Sequence, residues 1–282
     1  MIRRLQVGTL AVFTFREAVR KRVVPAAIGL TILLIVLFGV GIHFLVAEFD
    51  SSPRTLPSLR AAVIAQMLLM GLWFGGFLSG LLAIFVSVGT IATEIEAGTL
   101  QVIVPKPLAR WEIVVGKWLG IGVMLALHAS ITAGAMILVV YLQAGYVPPQ
   151  PALGIASMAF QVLLLLSLAI LGSTFLQPLA NGVVVLTMYV IAMMGGMVEQ
   201  LGARFENETM KLIGLISGAI LPTDVVWRSA SNYLQPRFLS PVNFGGPFSG
   251  IQPASEWMLV YAGLYLVAAI LGGCLVLGRR DL

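Results

Sequence analysis

Six ionisable side chains, Glu94, Glu96, Lys106, Arg110, Glu112 and Lys117, fall within the single stretch EIEAGTLQVIVPKPLARWEIVVGKW at residues 94–118, in a chain of 282 residues that holds only 17 basic and 12 acidic groups. Spacing excludes most chemistry that such a cluster could perform. A phosphate-cradling loop requires G-x-x-x-x-G-K followed by Ser or Thr. Gly116-Lys117 is instead followed by Trp118, and Trp111 stands where the earlier glycine belongs, so this chain is not expected to hydrolyse ATP by itself. Metal chemistry is not signalled either: there is no H-E-x-x-H, and the single Cys274 provides neither a disulfide framework nor a Cys-based zinc site. No cofactor is expected on this chain, and it is not expected to be an enzyme. Intramembrane proteolysis lacks its residues, since GFLSG and GLISG have the wrong spacing for a G-x-S-G nucleophile.

The elements that must position these charges are set by composition. Charged residues make up 10% of the chain and hydrophobic ones 59%, against about 25% charge in a soluble domain. A chain this apolar buries its outside in lipid. Six segments are long enough to cross, near Val24 to Val46, Leu68 to Ala92, Leu119 to Leu142, Leu153 to Phe175, Asn181 to Val198 and Met258 to Gly278, given that roughly 20 helical residues span the hydrocarbon core. The reading is an all-α integral membrane protein forming one domain over residues 1–282. Residues 1–23 read as an interfacial helix with an apolar stripe of Leu5, Gly8, Val12, Phe15, Val19 and Val23, and with Arg3, Gln6, Thr14, Glu17 and Lys21 opposite. Within the region 200–256, MKLIGLISGAILPTDVVWRSASNYL has an apolar half ending at Pro222 and a polar half carrying Asp224 and Arg228, which reads as an extracytoplasmic helical hairpin before the last span. Lys and Arg crowd the span ends on one side, so both termini and residues 94–112 are expected in the cytosol, with the chain in the cell's inner membrane. The positive charge is accounted for by that rule, and no nucleic-acid partner is expected.

None of the six spans has Asp, Glu, Lys or Arg in its middle, which argues against a proton-coupled transporter. His128, about 16 Å along the third span, either lines a substrate path or hydrogen-bonds to a neighbouring helix. Ser87, Thr90 and Gln161 are the other candidates for a weakly polar path, one suited to amphiphilic cargo. Glycines four apart, at 71 and 75, 76 and 80, and 116 and 120, allow close helix approach either within the chain or across a dimer seam. Pro105 and Pro107 force a turn, and Trp111 and Trp118 are expected to anchor the next helix at the interface.

The stretch TEIEAGTLQVIVPKPLARWEIVVGKWLG resembles the cytoplasmic loop of type-2 ABC exporter permeases, in which E-x-E-x-G-T precedes a hydrophobic stretch, then P-x-x-R, then G-K at the start of the next span. It is similar in particular to the copper-enzyme maturation group. Ile95 departs from the pattern, which often carries Arg or Lys there. The resemblance implies that residues near 94 to 104 form a coupling helix. This helix would sit on a separate ATPase subunit, which would carry ATP and Mg, and Glu94, Glu96, Gly98, Thr99, Leu100, Pro107, Arg110 and Lys117 would make that contact. It further implies two permease copies, as a homodimer, with two ATPase copies. A membrane anchor or assembly factor with no transport path is the alternative.

Overall fold

The computed structural model describes residues 2–51, 56–96, 109–235 and 255–279. Among these the chain is helical: α1 (Ile2–Arg20), α2 (Val23–Ser51), α3 (Pro57–Ser87), α4 (Ala92–Glu96), α5 (Arg110–Ala144), α6 (Pro151–Ser173), α7 (Pro178–Arg204), α8 (Glu208–Ile220), α9 (Thr223–Leu234) and α10 (Glu256–Arg279). Six of them, α2, α3 with its extension α4, α5, α6, α7 and α10, are long and apolar enough to cross a membrane. The helices outrun the apolar segments read from sequence. α3 starts at Pro57 rather than near Leu68, and α5 starts at Arg110 rather than near Leu119, because polar first turns extend a helix without adding apolar length.

Local residues set the boundaries. Pro57, Pro151 and Pro178 occupy first-turn positions, where a missing N–H costs nothing. Asn181 was expected to open the fifth span. Instead, it lies one turn inside α7 with no exposed surface. Gly145 ends α5 in the left-handed conformation at φ 66°, which a glycine adopts without strain. Asn207 accepts a hydrogen bond from Met210 N at 3.2 Å, so the N-x-T triplet there serves as a helix cap.

α3 and α6 are the most buried spans, while α2 and α10 lie at the periphery. One apolar cluster joins α3, α5, α6 and α7 near the end that carries α1 and α4, hereafter the terminal end; a second joins α2, α3, α5 and α9 near the opposite, distal end. The glycine pairs all serve packing within the chain: a Cβ would meet Phe38 at Gly71, Met136 at Gly75, Met158 at Gly76, Tyr189 at Gly80 and Leu10 at Gly116. At the distal end α8 folds back antiparallel along α7, with Glu199 against Gly214 and Ser217 against Gly195. α9 then bends 104° away from α8 and lies across the bundle. Leu234 packs on Gly154, Gln150 N donates to Tyr233 O at 3.1 Å, and Tyr146 Oη donates to Leu234 O at 3.2 Å. α8 and α9 occupy the stretch read from sequence as a helical hairpin, with their junction at residues 221–222.

The N-terminal helix α1 is seated on α5 along one side. The side seated on α5 is Leu10, Ala11, Thr14, Phe15 and Ala18, with Thr14 and Ala18 buried, whereas Val12 and Val19 are exposed. Small residues win the protein side because α1 crosses α5 at Gly116 and Gly120, where backbone nearly touches backbone. Trp118 is also turned inward, donating from Nε1 to Ser167 Oγ on α6 at 2.8 Å, while Trp111 stays half exposed. A Cβ at Gly120 would lie 2.8 Å from Thr14 Cβ and closer still to Ala11 O. Gly120→Val is therefore expected to lift α1 and destabilise the protein by about 1–3 kcal/mol. Thermal unfolding in detergent should show this against Gly134→Ala, a site with open space, which should be neutral or slightly stabilising.

Candidate functional site

α3 does not run straight into α4. Residues 88–91 form a turn between them, and the hydroxyls of Ser87, Thr90 and Thr93 bond back to Ala83 O, Val86 O and Gly89 O. Such back-bonding competes with the helical ladder and bends it. The break leaves main-chain carbonyls without helical partners, and three side chains from elsewhere in the chain reach them. Lys21, between α1 and α2, donates from Nζ to Val86 O at 2.9 Å. Asn181 of α7 donates from Nδ2 to Val88 O at 3.0 Å and to Ala169 O of α6 at 2.8 Å. Lys117 of α5 donates to Thr90 O at 3.0 Å and forms a salt bridge with Glu94 Oε1 at 2.6 Å.

Lys117 is buried, and its partner Glu94 keeps about a quarter of its side chain exposed (28%). The pair thus fixes a partly exposed carboxylate to the inside of the bundle. Burial holds the Lys21 ammonium below the usual lysine range; Glu17 pulls it back up, Lys117 adds to the fall, and Glu94 opposes it. Two contacts complete the terminal end. Glu112 is fully buried and accepts from Ala109 N at 2.9 Å, capping α5. Arg110 Nη1 reaches Leu277 O at 3.3 Å and Gly278 O at 3.2 Å, capping the end of α10.

Of the residues singled out in the sequence, Glu94 and Lys117 come together here, while Arg110 joins the start of α5 to the end of α10. Glu96 ends α4, and Gly98, Thr99, Leu100 and Pro107 lie outside the described residues. The four path candidates occupy three separate surroundings. Ser87 and Thr90 are buried in the break. His128 lies between Thr31 Oγ1 at 3.2 Å and Ser79 Oγ at 3.3 Å, so both ring nitrogens tie α5 to α2 and α3. Gln161 lines a cavity of about 20 Å³ toward the distal end, with Trp73, Tyr189, Thr223, Asp224 and Trp227.

The sequence reading missed Lys21 and Asn181 as ligands of the break, and it missed a buried ion cluster at the distal end. There Arg228 of α9 meets Glu199 Oε1 of α7 at 2.7 Å and Asp224 Oδ2 at 2.9 Å, with all three side chains at most 15% exposed. The i,i+4 spacing of Asp224 and Arg228 was the available signal; Glu199 is found only by folding. Among the described residues, Glu199 Oε2, Gln200 Oε1 and Thr223 Oγ1 lack hydrogen-bond partners.

Six helices long and apolar enough to cross a membrane, a charged break at one end and a bent helix pair locked on a salt bridge at the other define a multi-pass membrane protein. Residues 9–282 match the ABC-2 family transporter protein family, and the chain belongs to it. It is 33% identical over 116 residues to a probable ABC transporter permease protein NosY of Stutzerimonas stutzeri, covering 39% of this chain and 38% of that one. It is 32% identical over 114 residues to the NosY protein of Pseudomonas aeruginosa, covering 38% and 37%. The matched segment thus spans under two fifths of either relative's length.

Lys117→Met would strand the Thr90 carbonyl and the Glu94 carboxylate together. It is expected to destabilise the protein by about 2 kcal/mol, read as a lower unfolding midpoint, with Glu94→Gln costing less because Glu94 is part-exposed. At the distal end Arg228→Met would leave two buried carboxylates uncompensated, an expected loss of about 3–5 kcal/mol. Adding Glu199→Gln and Asp224→Asn should restore much of it, which the same unfolding measurement would register.

Proposed function

We propose that this chain is the membrane-spanning permease of an ATP-driven exporter, moved by a separate ATP-hydrolysing subunit that docks on α4 and the residues following it. The observation that carries this reading is the Lys117–Glu94 salt bridge together with the three side chains seated on the α3–α4 break. A short helix joined to its span by a turn is a lever only if its root is tied to the rest of the bundle. Lys21, Lys117 and Asn181 tie this root to the α1–α2 joint, α5 and α7. A push on α4 is therefore passed to at least three other elements.

Lys117 is too deep to meet a partner itself; it sets the position of Glu94, and Arg110 joins the start of α5 to the end of α10. Glu96 and the loop carrying Gly98, Thr99, Leu100 and Pro107 would supply the direct contact with the ATPase. The terminal end then faces the cytosol of a cell with this chain in its inner membrane, and both termini lie on that side. The transporter is two copies of this permease with two ATPase copies that bind ATP and Mg. Cargo passes between the permeases outward, and amphiphilic cargo suits the weakly polar span faces. His128 acts as a tie between helices rather than as a ligand, given that both its nitrogens are engaged.

The test is co-purification of the permease with a co-expressed ABC ATPase subunit, followed by export in vesicles. Glu96→Ala should weaken ATPase association and export about tenfold or more, the loss of one charge-assisted contact, without lowering the unfolding midpoint. Glu94→Ala should do both. If the double variant exports and binds ATPase like the parent, the docking assignment is wrong.

A further inference from the structure

We infer that α1 and the joint leading into α2 form a binding site for the phosphate headgroup of an anionic bilayer lipid. Charge distribution is the first reason. Residues 1–22 contain Arg3, Arg4, Arg16, Arg20, Lys21 and Arg22 against Glu17 alone, and the rest of the chain holds equal numbers of basic and acidic groups. The entire net charge of +5 is therefore the charge of this one element. The positive-inside rule accounts for the side on which this excess lies. Here it is concentrated on the helix that has an exposed apolar side as well.

Geometry is the second reason. α1 has three sides. One is seated on Gly116 and Gly120 of α5. A second is apolar and uncovered, with Val12 at 52%, Val19 at 43% and, just past the helix end, Val23 at 39% exposure. A third carries Arg16 and Arg20, one turn apart. Like charges at that spacing repel each other unless an anion lies between them. Among the described residues neither arginine is in a salt bridge, and both line an open cleft of about 570 Å³ with Phe13, Glu17 and Lys21. The Lys21 amine is already committed to Val86 O, and Glu17 stands one turn from it. That leaves the two guanidiniums as phosphate ligands, a role their forked donors suit. An apolar flank beside a basic cleft fits a lipid, whose acyl chains would cover Val12, Val19 and Val23 while its phosphate bridges the arginines. A soluble anion would leave that flank uncovered. Lys21 links the cleft to the α3–α4 break, so the lipid would steady the root of α4.

The inference rests on α1 lying at the membrane interface, as in the reading above, but not on the ATPase contact. To test it, the purified full chain is exchanged from neutral detergent into bilayer discs of phosphatidylcholine alone or with phosphatidylglycerol, and lipid retention is read by native mass spectrometry and stability by thermal unfolding. The expected result is a preference for phosphatidylglycerol of about tenfold and a higher unfolding midpoint in the anionic discs, both lost in Arg16→Gln/Arg20→Gln. Those side chains are exposed, so the variant should fold. Equal retention of both lipids by the parent chain, or an undiminished preference in the variant, would overturn the proposal. So would protection by inorganic phosphate in neutral discs that equals that of the lipid, which would mark a free-anion site. If the variant loses the ATPase subunit while keeping the lipid preference, the patch is a protein-docking surface and the lipid assignment fails. Failure of the Glu96 experiment would leave the lipid measurements unchanged.

Discussion

A backbone carbonyl inside a bilayer must find a donor within the protein, since lipid supplies none. The α3–α4 break is where this chain comes closest to violating that rule, and the terminal end is organised around the remedy. A straight helix through residues 88–91 would have needed no outside help. The turn instead draws a lysine from the α1–α2 joint, a lysine from α5 and an asparagine from α7 onto three carbonyls. Each such bond is modest alone, about 1 kcal/mol, or somewhat more where a charge is involved. Together they make the position of α4 a property of the whole bundle.

The distal end obeys the same rule by another route. α8 and α9 are too short to cross alone, and their junction at residues 221–222 interrupts the ladder. They are held by contact between small residues and by the Glu199–Arg228–Asp224 cluster rather than by length. Gly195, Gly196 and Gly214 let Ser217, Asp224 and Glu199 approach where any Cβ would collide. Association between helices in lipid gains little from the hydrophobic effect, so packing and polar ties decide which faces meet. This explains why the glycine pairs at 71 and 75, 76 and 80, and 116 and 120 face partners within the chain.

The two ends therefore differ in kind. The terminal end has a buried lysine whose carboxylate partner reaches the surface, an arrangement able to pass a displacement inward. The distal end has its charges buried together, an arrangement that resists displacement until the cluster is broken.

Much of this was legible in the residues. Hydropathy determined six spans and Pro222 marked the bend in the distal pair, because chain length against bilayer thickness and the geometry of proline are local constraints. The motif from Glu94 to Lys117 was visible as a unit for the same reason. What the sequence alone left undecided was which side chain serves which carbonyl. Lys117 read as a surface contact and proved buried against Glu94; Asn181 read as a helix start and proved a bridge between α3 and α6; which side of α1 seats on α5 was not read from the sequence at all. Those outcomes depend on residues 23 apart in one case and 93 in another meeting at one place. Periodicity reports only that a face is apolar, and in lipid nearly every face is, so the choice among them fell to close packing and to the need of each interrupted helix for a donor.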